Sequence, residues 1–422
     1  MLGTNKHNGV SVAFVGGFFT KEDEASILNN TNGRVQYAAN NYQFALIDGL
    51  SLTSHNKIFL ISELFIGNYP KRYKKLIVKK KRIRYNNEDG IQVGFLNLAI
   101  VLDIMKAHGG YQELSKWLSN GDDCHKVVIG YSFAPSILMT LAKIKKRYPE
   151  TLTCMVVPDL LEFLGLDEKK HLSGRIFTSF QKHVAKKCLN RIDCFVPLTE
   201  EMMERIPNSE GKPYCVVEGV FRSETFLEEK VSSTEPAKKT ILYTGGISGK
   251  YGVVKLIDAF RTIVDANYEL ILCGGINENE KELINEKIKS DKRIRYLGQV
   301  SHDEIIGLQR KATVLVNPRE ADEFTKYSFP SKTLEYLGSG TPVVGYKLPG
   351  IPDEYDDHIF YVCDNTASSL AKLIVDVCEK TREERTLIGE RNKRFVVSQK
   401  SSQMQAGKIF KMFYEIISKE RQ

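Results

Sequence analysis

Apolar and polar positions along the chain fall into two series of alternating strand-like and helix-like segments. The first strand is predicted over 10–15, where Val10, Val12, Ala13, Phe14 and Val15 run into the pair Gly16 and Gly17. Val35, Ala38, Ala39, Tyr42, Ala45 and Leu46 then recur at three- and four-residue spacing, predicting a helix over 35–50. Further strands are predicted over 57–61, 126–129, 153–157 and 194–198, with helices over 134–147 and 173–188 and a helix start at 199–201. A second series begins at Thr240. Its strands are expected over 240–244, 268–273, 294–297, 314–317, 342–346 and 359–362, and its helices over 253–264, 279–290, 302–311, 330–337 and 368–380. Strands that alternate with helices specify an α/β architecture with parallel sheets. The segment 222–239 is rich in Ser, Glu, Lys and Pro and reads as the linker between the two series.

The 422 residues exceed what one core organises, so two doubly wound halves are expected, 1–225 and 226–399. In such folds ligands bind at the carboxyl ends of the strands, here between the halves. The net charge of +8 suits nucleotides, anionic membrane surfaces or nucleic acid, and equally a Lys-rich solvated surface. The run 74–84 interleaves Lys and Arg with Leu, Ile and Val. It can serve as a patch facing an anionic membrane or a lipid-phosphate acceptor. The sequence favours the plainer reading, an edge strand guarded by Lys.

Eight cysteines without a C-x-x-C pair argue against a zinc site and for free thiols in a reducing compartment. The polar segment 1–10 carries no secretory signal, and no run reaches the ~18 apolar residues of a spanning helix. A cytoplasmic protein is expected, one that can touch the cytoplasmic membrane face. The eight histidines show no ligand spacing; His302 reads as a helix-start residue and His108, before Gly109 and Gly110, as a loop residue. No metal site and no cofactor are expected.

The chemistry concentrates in the second series. Pro330 suits the first position of a helix, leaving the N–H groups of Ser331 and Lys332 free to point at an anion, with the charge of Lys332 added. Glu335 follows Lys332 by three residues and shares its helix face. A diphosphate at the helix end and a ribose diol on the carboxylate would satisfy both. Upstream, a glycine-rich loop holds Gly245, Gly246, Gly249, Lys250 and Gly252. It lets backbone approach a phosphate, yet it is neither a Walker loop nor G-x-G-x-x-G. A further turn, Gly298, Gln299 and Val300, could meet a nucleobase edge through its backbone.

These features, with Gly340-Thr341-Pro342-Val343-Val344 and Gly350-Ile351-Pro352-Asp353-Glu354, occur in the order found in the family-4 retaining glycosyltransferases of the GT-B fold, which 240–362 resembles. The resemblance implies two Rossmann-like domains facing a cleft, with 400–422 packing back on the N-terminal, acceptor-binding one. It implies that Glu335 holds the donor ribose, that Lys332 and the Ser331 amide hold the diphosphate beside Tyr327, Ser328 and Pro330, and that Gln299 and Val300 meet the base. Gly16 and Gly17 would approach the donor from the N-terminal half.

Three positions depart from the family pattern. Tyr327 stands where the family has the first Glu of E-x7-E. Gly246 and Tyr251 stand near its basic pair, for which Lys250 or Arg319 would substitute. Asp159 stands where the family has a strand-end His. The implied reaction is metal-independent, retaining transfer of a sugar from a nucleoside diphosphate-sugar, UDP by default, to a hydroxyl of a glycan or lipid-linked glycan in surface polysaccharide assembly. The absence of D-x-D fits that. Asp159, Lys332 and Arg319 are the expected catalytic set. A nucleotide-sugar epimerase of the same fold and a non-catalytic nucleotide-sugar-binding subunit are the rivals.

Overall fold

The segments 10–16, 127–131, 152–157 and 194–197 are mostly apolar runs buried on both faces, the pattern of a parallel sheet covered by helices on either side. The computed structural model describes residues 9–33, 35–54, 56–120, 124–163, 172–222 and 238–419. Its strands are β1 (Val10–Gly16), β2 (Phe59–Ser62), β3 (Ile77–Val78), β4 (Lys81–Tyr85), β5 (Glu88–Gln92), β6 (Phe95–Leu96), β7 (His125–Tyr131), β8 (Leu152–Val157) and β9 (Cys194–Pro197), then β10 (Lys239–Thr244), β11 (Tyr268–Cys273), β12 (Ile294–Gly298), β13 (Val314–Asn317), β14 (Val343–Gly345) and β15 (Phe360–Tyr361). The helices are α1 (Lys21–Asn30), α2 (Tyr37–Thr53), α3 (Val101–Leu118), α4 (Pro135–Arg147) and α5 (Leu172–Cys188), then α6 (Val253–Thr262), α7 (Lys281–Lys289), α8 (His302–Lys311), α9 (Lys332–Ser339), α10 (Ala367–Cys378), α11 (Arg382–Gln399) and α12 (Ser402–Lys419).

The chain divides into two units, Met1–Val220 with Ser402–Gln422, and Phe221–Ser401, against the 225/226 and 399/400 boundaries read from the sequence. Most of the expected linker lies outside the described residues. In the first unit the sheet order is β4-β5-β2-β1-β7-β8-β9, parallel except for the antiparallel edge strand β4. In the second it is β12-β11-β10-β13-β14-β15, parallel throughout. Each order reverses once, between β1 and β7 and between β10 and β13. Such a reversal opens a crevice beyond the strand ends, because the crossovers leave in opposite directions.

The last helix belongs to the first unit. Ala406, Ile409, Phe410 and Phe413 of α12 share a core with Phe44, Leu46, Ile47 and Leu50 of α2. Gly49 makes this possible: a Cβ there would stand 2.0 Å from the carbonyl oxygen of Ser402. Just before the crossing, the Phe221 N–H donates to the Lys400 carbonyl, tying both ends of the second unit together. In that unit, the hydroxyl of Tyr336 on α9 accepts from the N–H of Thr244, the last residue of β10 (2.9 Å), and donates to its carbonyl. Helix and strand are thereby locked in register.

Several elements differ from the sequence reading. Gly109 and Gly110 lie inside α3, so His108 is an exposed helix residue and not a loop residue. A helix-interior glycine costs about 0.5–1 kcal/mol. It is accepted because a Cβ on Gly110 would come within 2.8 Å of Glu63 Oε1, so α3 can pack this closely only without one. Helices α1 and α11 and strand β5 were not anticipated. Pro330 precedes α9 and supplies the carbonyl that accepts from Thr333, acting as a cap where the sequence placed it at the first helical position.

Two substitutions test this packing. Gly49→Ala adds helix propensity worth up to about 1 kcal/mol but drives a methyl into backbone. We expect a net destabilisation of about 1–3 kcal/mol in urea unfolding; an unchanged midpoint would contradict the α2/α12 contact. Tyr336→Phe strands the buried Thr244 N–H and should cost about 1–3 kcal/mol by the same measurement.

Candidate active site

The reversal between β10 and β13 is where the second unit assembles its charged groups. After β10 the chain turns through Gly245, whose φ of +141° lies in the left-handed region that favours glycine. Its missing side chain also makes room: a Cβ there would sit 1.5 Å from Lys332 Nζ. The Lys332 ammonium therefore lies directly over the loop, 3.4 Å from the Tyr243 hydroxyl and 4.9 Å from that ring's centre. Lys332 reaches this place because Tyr336, one turn along α9, is bonded to Thr244.

After β13 the chain passes through Pro318 into Arg319. Gly252, at φ +74°, lies so close to the Pro318 carbonyl that a Cβ would come within 1.8 Å of it. That contact brings Tyr251 to Arg319. The guanidinium sits 5.9 Å from the Tyr251 ring centre and 5.3 Å from that of Phe324, while Lys332 stands 5.8 Å from Tyr251 and Lys250 5.4 Å from Phe324. Three cations thus meet two aromatic faces, which attract them through the ring quadrupole. Arg319 Nε and one terminal nitrogen are buried with no hydrogen-bond partner among the described residues. Buried donors left unpaired by the protein are suited to an anion.

Electrostatics agree with the geometry. Burial pushes the Lys332 ammonium down to about 8, with Glu335 opposing and Arg319 adding to the shift. A site that discourages its own cation is one in which bound negative charge is strongly favoured. Glu335 lies deeper along α9, its carboxyl raised by burial and lowered in part by His302 and Lys332 and by a hydrogen bond from Gln309. Gln309 is fully buried and also donates to Thr244 Oγ1. Carboxylate, ammonium and strand end are thus parts of one connected arrangement.

The remaining predicted residues fall into three places. Gly246 ends the β10 turn, its carbonyl accepting from the Tyr243 hydroxyl at 2.8 Å. Gln299 is exposed, its amide nitrogen 3.0 Å from where a Cβ on Gly275 would lie, and Val300 packs half-buried against the core. Tyr327 is buried at the end of a 3-10 turn, Glu323–Tyr327, capped by Asp322. Ser328 follows it, its carbonyl pressed against Gly350, where a Cβ would come within 2.3 Å. The segment 350–354 therefore begins as a backing for this loop. Ser331 is exposed before α9.

Gly16, Gly17 and Asp159 lie in the first unit. Gly17 gives its N–H to Gln43 Oε1 (2.8 Å), and a Cβ on it would stand 2.0 Å from the Phe65 ring. Gly16 is similarly occupied by Gln43 and Phe14. Both glycines thus serve close packing of the β1 turn. Asp159 follows β8; it is open to solvent, yet burial by surrounding protein pushes its carboxyl up to about 6.

The sequence reading missed Tyr243, Tyr251 and Phe324 as the seat of the cations, and His302 and Gln309 as neighbours of Glu335. Tyr251 carried a signal: an aromatic residue at the position of a missing lysine can seat another cation instead.

Comparison with known proteins places this geometry. Residues 225–395 match the family model described as "Glycosyl transferases group 1". An uncharacterized glycosyltransferase of Methanocaldococcus jannaschii is 24% identical over 245 residues, 57% of this chain; the match spans 63% of that relative's length. Among solved structures, sucrose-phosphate synthase from Thermosynechococcus elongatus aligns with TM-score 0.66 at 14% identity, over 97% of this chain and 99% of that one. Anabaena HepE, solved in complex with UDP, aligns with TM-score 0.58 at 12% identity, over 96% of this chain and 100% of that one. The fold is the two-unit, Rossmann-like GT-B fold, and within it residues 225–395 resemble the glycosyl transferases group 1 family.

Proposed function

We propose that the protein transfers a sugar, with retention at the anomeric carbon, from a nucleoside diphosphate-sugar to a hydroxyl acceptor. The observation that carries this reading is the pair of cations, Lys332 and Arg319, set against the face of Tyr251, with the Glu335 carboxylate one turn deeper on α9. Diphosphate requires positive charge and unpaired donors. A ribose diol requires an acceptor at a fixed distance from them. UDP is the favoured base: HepE, of the same fold, was solved with UDP bound.

In the reaction the bond between the anomeric carbon and the diphosphate oxygen breaks, and a bond to the acceptor oxygen forms on the same face. The acceptor proton passes to the departing phosphate. Lys332, Arg319 and Lys250 stabilise the charge that develops on the leaving group, in a site partly screened from water, where fixed charges act most strongly. No metal step is needed in this scheme. Asp159 of the first unit is proposed to serve the acceptor, its carboxylate taking a hydrogen bond from a sugar hydroxyl. The acceptor is proposed to be a glycan or lipid-linked glycan of surface polysaccharide assembly.

A thermal-shift series with UDP, GDP, ADP and their sugar conjugates tests the donor site. One nucleotide at ~100 times its dissociation constant should add ~2.7 kcal/mol of stability. That gain should vanish in Lys332→Ala, Arg319→Ala and Glu335→Ala, whereas a folded protein stabilised by none of them would falsify the reading. Stabilisation without sugar release or transfer to any acceptor would select the non-catalytic rival. The pH dependence is a second test. Bound diphosphate favours the ammonium form of Lys332, so binding takes up a proton wherever the free protein has lost one. Affinity should therefore fall as pH rises through about 8, roughly tenfold per unit beyond it. Calorimetry of the wild type should find this slope, and an affinity that does not change as pH rises through about 8 would contradict it.

A further inference from the structure

We infer that the first unit carries a membrane-docking surface, formed by the segment 71–80, the β3/β6 pair and the exposed side of α3, that seats on an anionic lipid bilayer. This builds on the lipid-linked acceptor reading, but its test is separate from that of the donor site. The run 71–84 contains nine Lys and Arg residues, more than the whole chain's net charge of +8, and no Asp or Glu occurs between residues 64 and 87.

Part of that run is explained by the sheet. Strand β4 is the edge strand, and exposed Lys81, Arg82 and Arg84 are what keeps such an edge from pairing with another chain; Lys81 also pairs with Asp23. Edge protection does not account for Lys71, Arg72, Lys74, Lys75 and Lys79, all exposed and outside β4, while Lys80 pairs with Glu113. Nor does it account for the aliphatic residues among them. Ile77 is 63% exposed and Leu76 37%.

The aliphatic surface continues beyond the run. Ile77 is paired with Leu96 across β3 and β6, and the Leu96 N–H points at the sulfur of Met105 on α3 (3.4 Å). Ile104, 55% exposed, and Met105, 41% exposed, line a mainly apolar hollow of about 500 Å³ together with Val93, Gly94 and His108, and with Lys80 and Glu113, which neutralise each other there. Aliphatic residues exposed together mark an interaction surface. A ring of cations beside them selects the occupant: anionic headgroups for the lysines and acyl chains for the isoleucines and Met105. A polyanion such as nucleic acid would use the cations alone and gives no reason for exposed Ile77, Ile104 and Met105. None of the described helices is long and apolar enough to cross a membrane, so the contact would be peripheral.

Vesicle flotation of the full chain decides the matter, using phosphatidylcholine alone and phosphatidylcholine with phosphatidylglycerol. Binding is expected only to the anionic vesicles, with part of it persisting at about 0.5 M salt, where exposed charges are largely screened. Lys74→Ala with Lys75→Ala should weaken binding about 30-fold, at ~1 kcal/mol per surface cation and ~1.4 per tenfold. Ile77→Ser with Ile104→Ser should abolish the salt-resistant part. Both double variants should keep the nucleotide-induced thermal shift of the wild type, since they lie outside the donor site. The inference is overturned if anionic vesicles do not bind. It is equally overturned if the isoleucine variant binds vesicles and a single-stranded oligonucleotide as the wild type does, which would make the surface a general polyanion site. Wild-type protein that shows the thermal shift but does not bind anionic vesicles refutes docking alone. Loss of the thermal shift with docking intact refutes the donor reading alone.

Discussion

The hydroxyl of Tyr336 is bonded to both the N–H and the carbonyl of Thr244, and the geometry of the candidate site follows from that contact. It holds the start of α9 against the end of β10. One turn earlier on the helix, Lys332 then has only one place to go, across Gly245, where any side chain would collide with its ammonium. Glu335, adjacent to Tyr336, is fixed by the same anchor and meets His302 and Gln309 on its other side. A single buried hydroxyl therefore sets the separation between a cation and a carboxylate. Helical spacing alone would leave both free to swing.

The second constraint is electrostatic. Holding Lys332 and Arg319 near each other in a partly buried site is unfavourable, and a carboxylate between them would relieve it but would compete with any bound anion. The protein instead seats them on Tyr243, Tyr251 and Phe324. Aromatic faces offset part of the desolvation without neutralising the charge, so the attraction for an anion is kept. Tyr251, near a position where the family that 240–362 resembles has a basic residue, instead lies against the cations already present. The tight φ of Gly252 is part of the same solution, because it lets the 3-10 turn carrying Tyr251 reach the end of β13.

The two units use glycine differently at equivalent places. In the second, Gly245 opens space for a charged side chain. In the first, Gly16 and Gly17 are filled by Gln43, Phe14 and Phe65, and the Gly17 N–H is already bonded. A glycine pair at a strand end is therefore compatible with ligand approach and with plain close packing, and only the neighbours distinguish them. The charge distribution separates the units as well, since the densest cation run lies in 71–84 of the first, far in sequence from the diphosphate-binding residues proposed in the second.

The sequence by itself determined the alternation of strands and helices, the two-unit organisation and the order of motifs from Gly245 to Glu354. These depend on periodic burial and on local turn chemistry, which act over a few residues. It also marked Lys332 and Glu335, because their spacing fits one helix face. It could not place Arg319 against Tyr251, Gln309 beneath Glu335 or Ile77 beside Leu96 and Met105, since each joins residues distant along the chain. It misread Gly109 and Gly110 as a loop because local propensity disfavours glycine in a helix, while the approach of α3 to Glu63 requires one. Those contacts were decided by tertiary packing, where close approach and desolvation outweigh the preferences of any short segment.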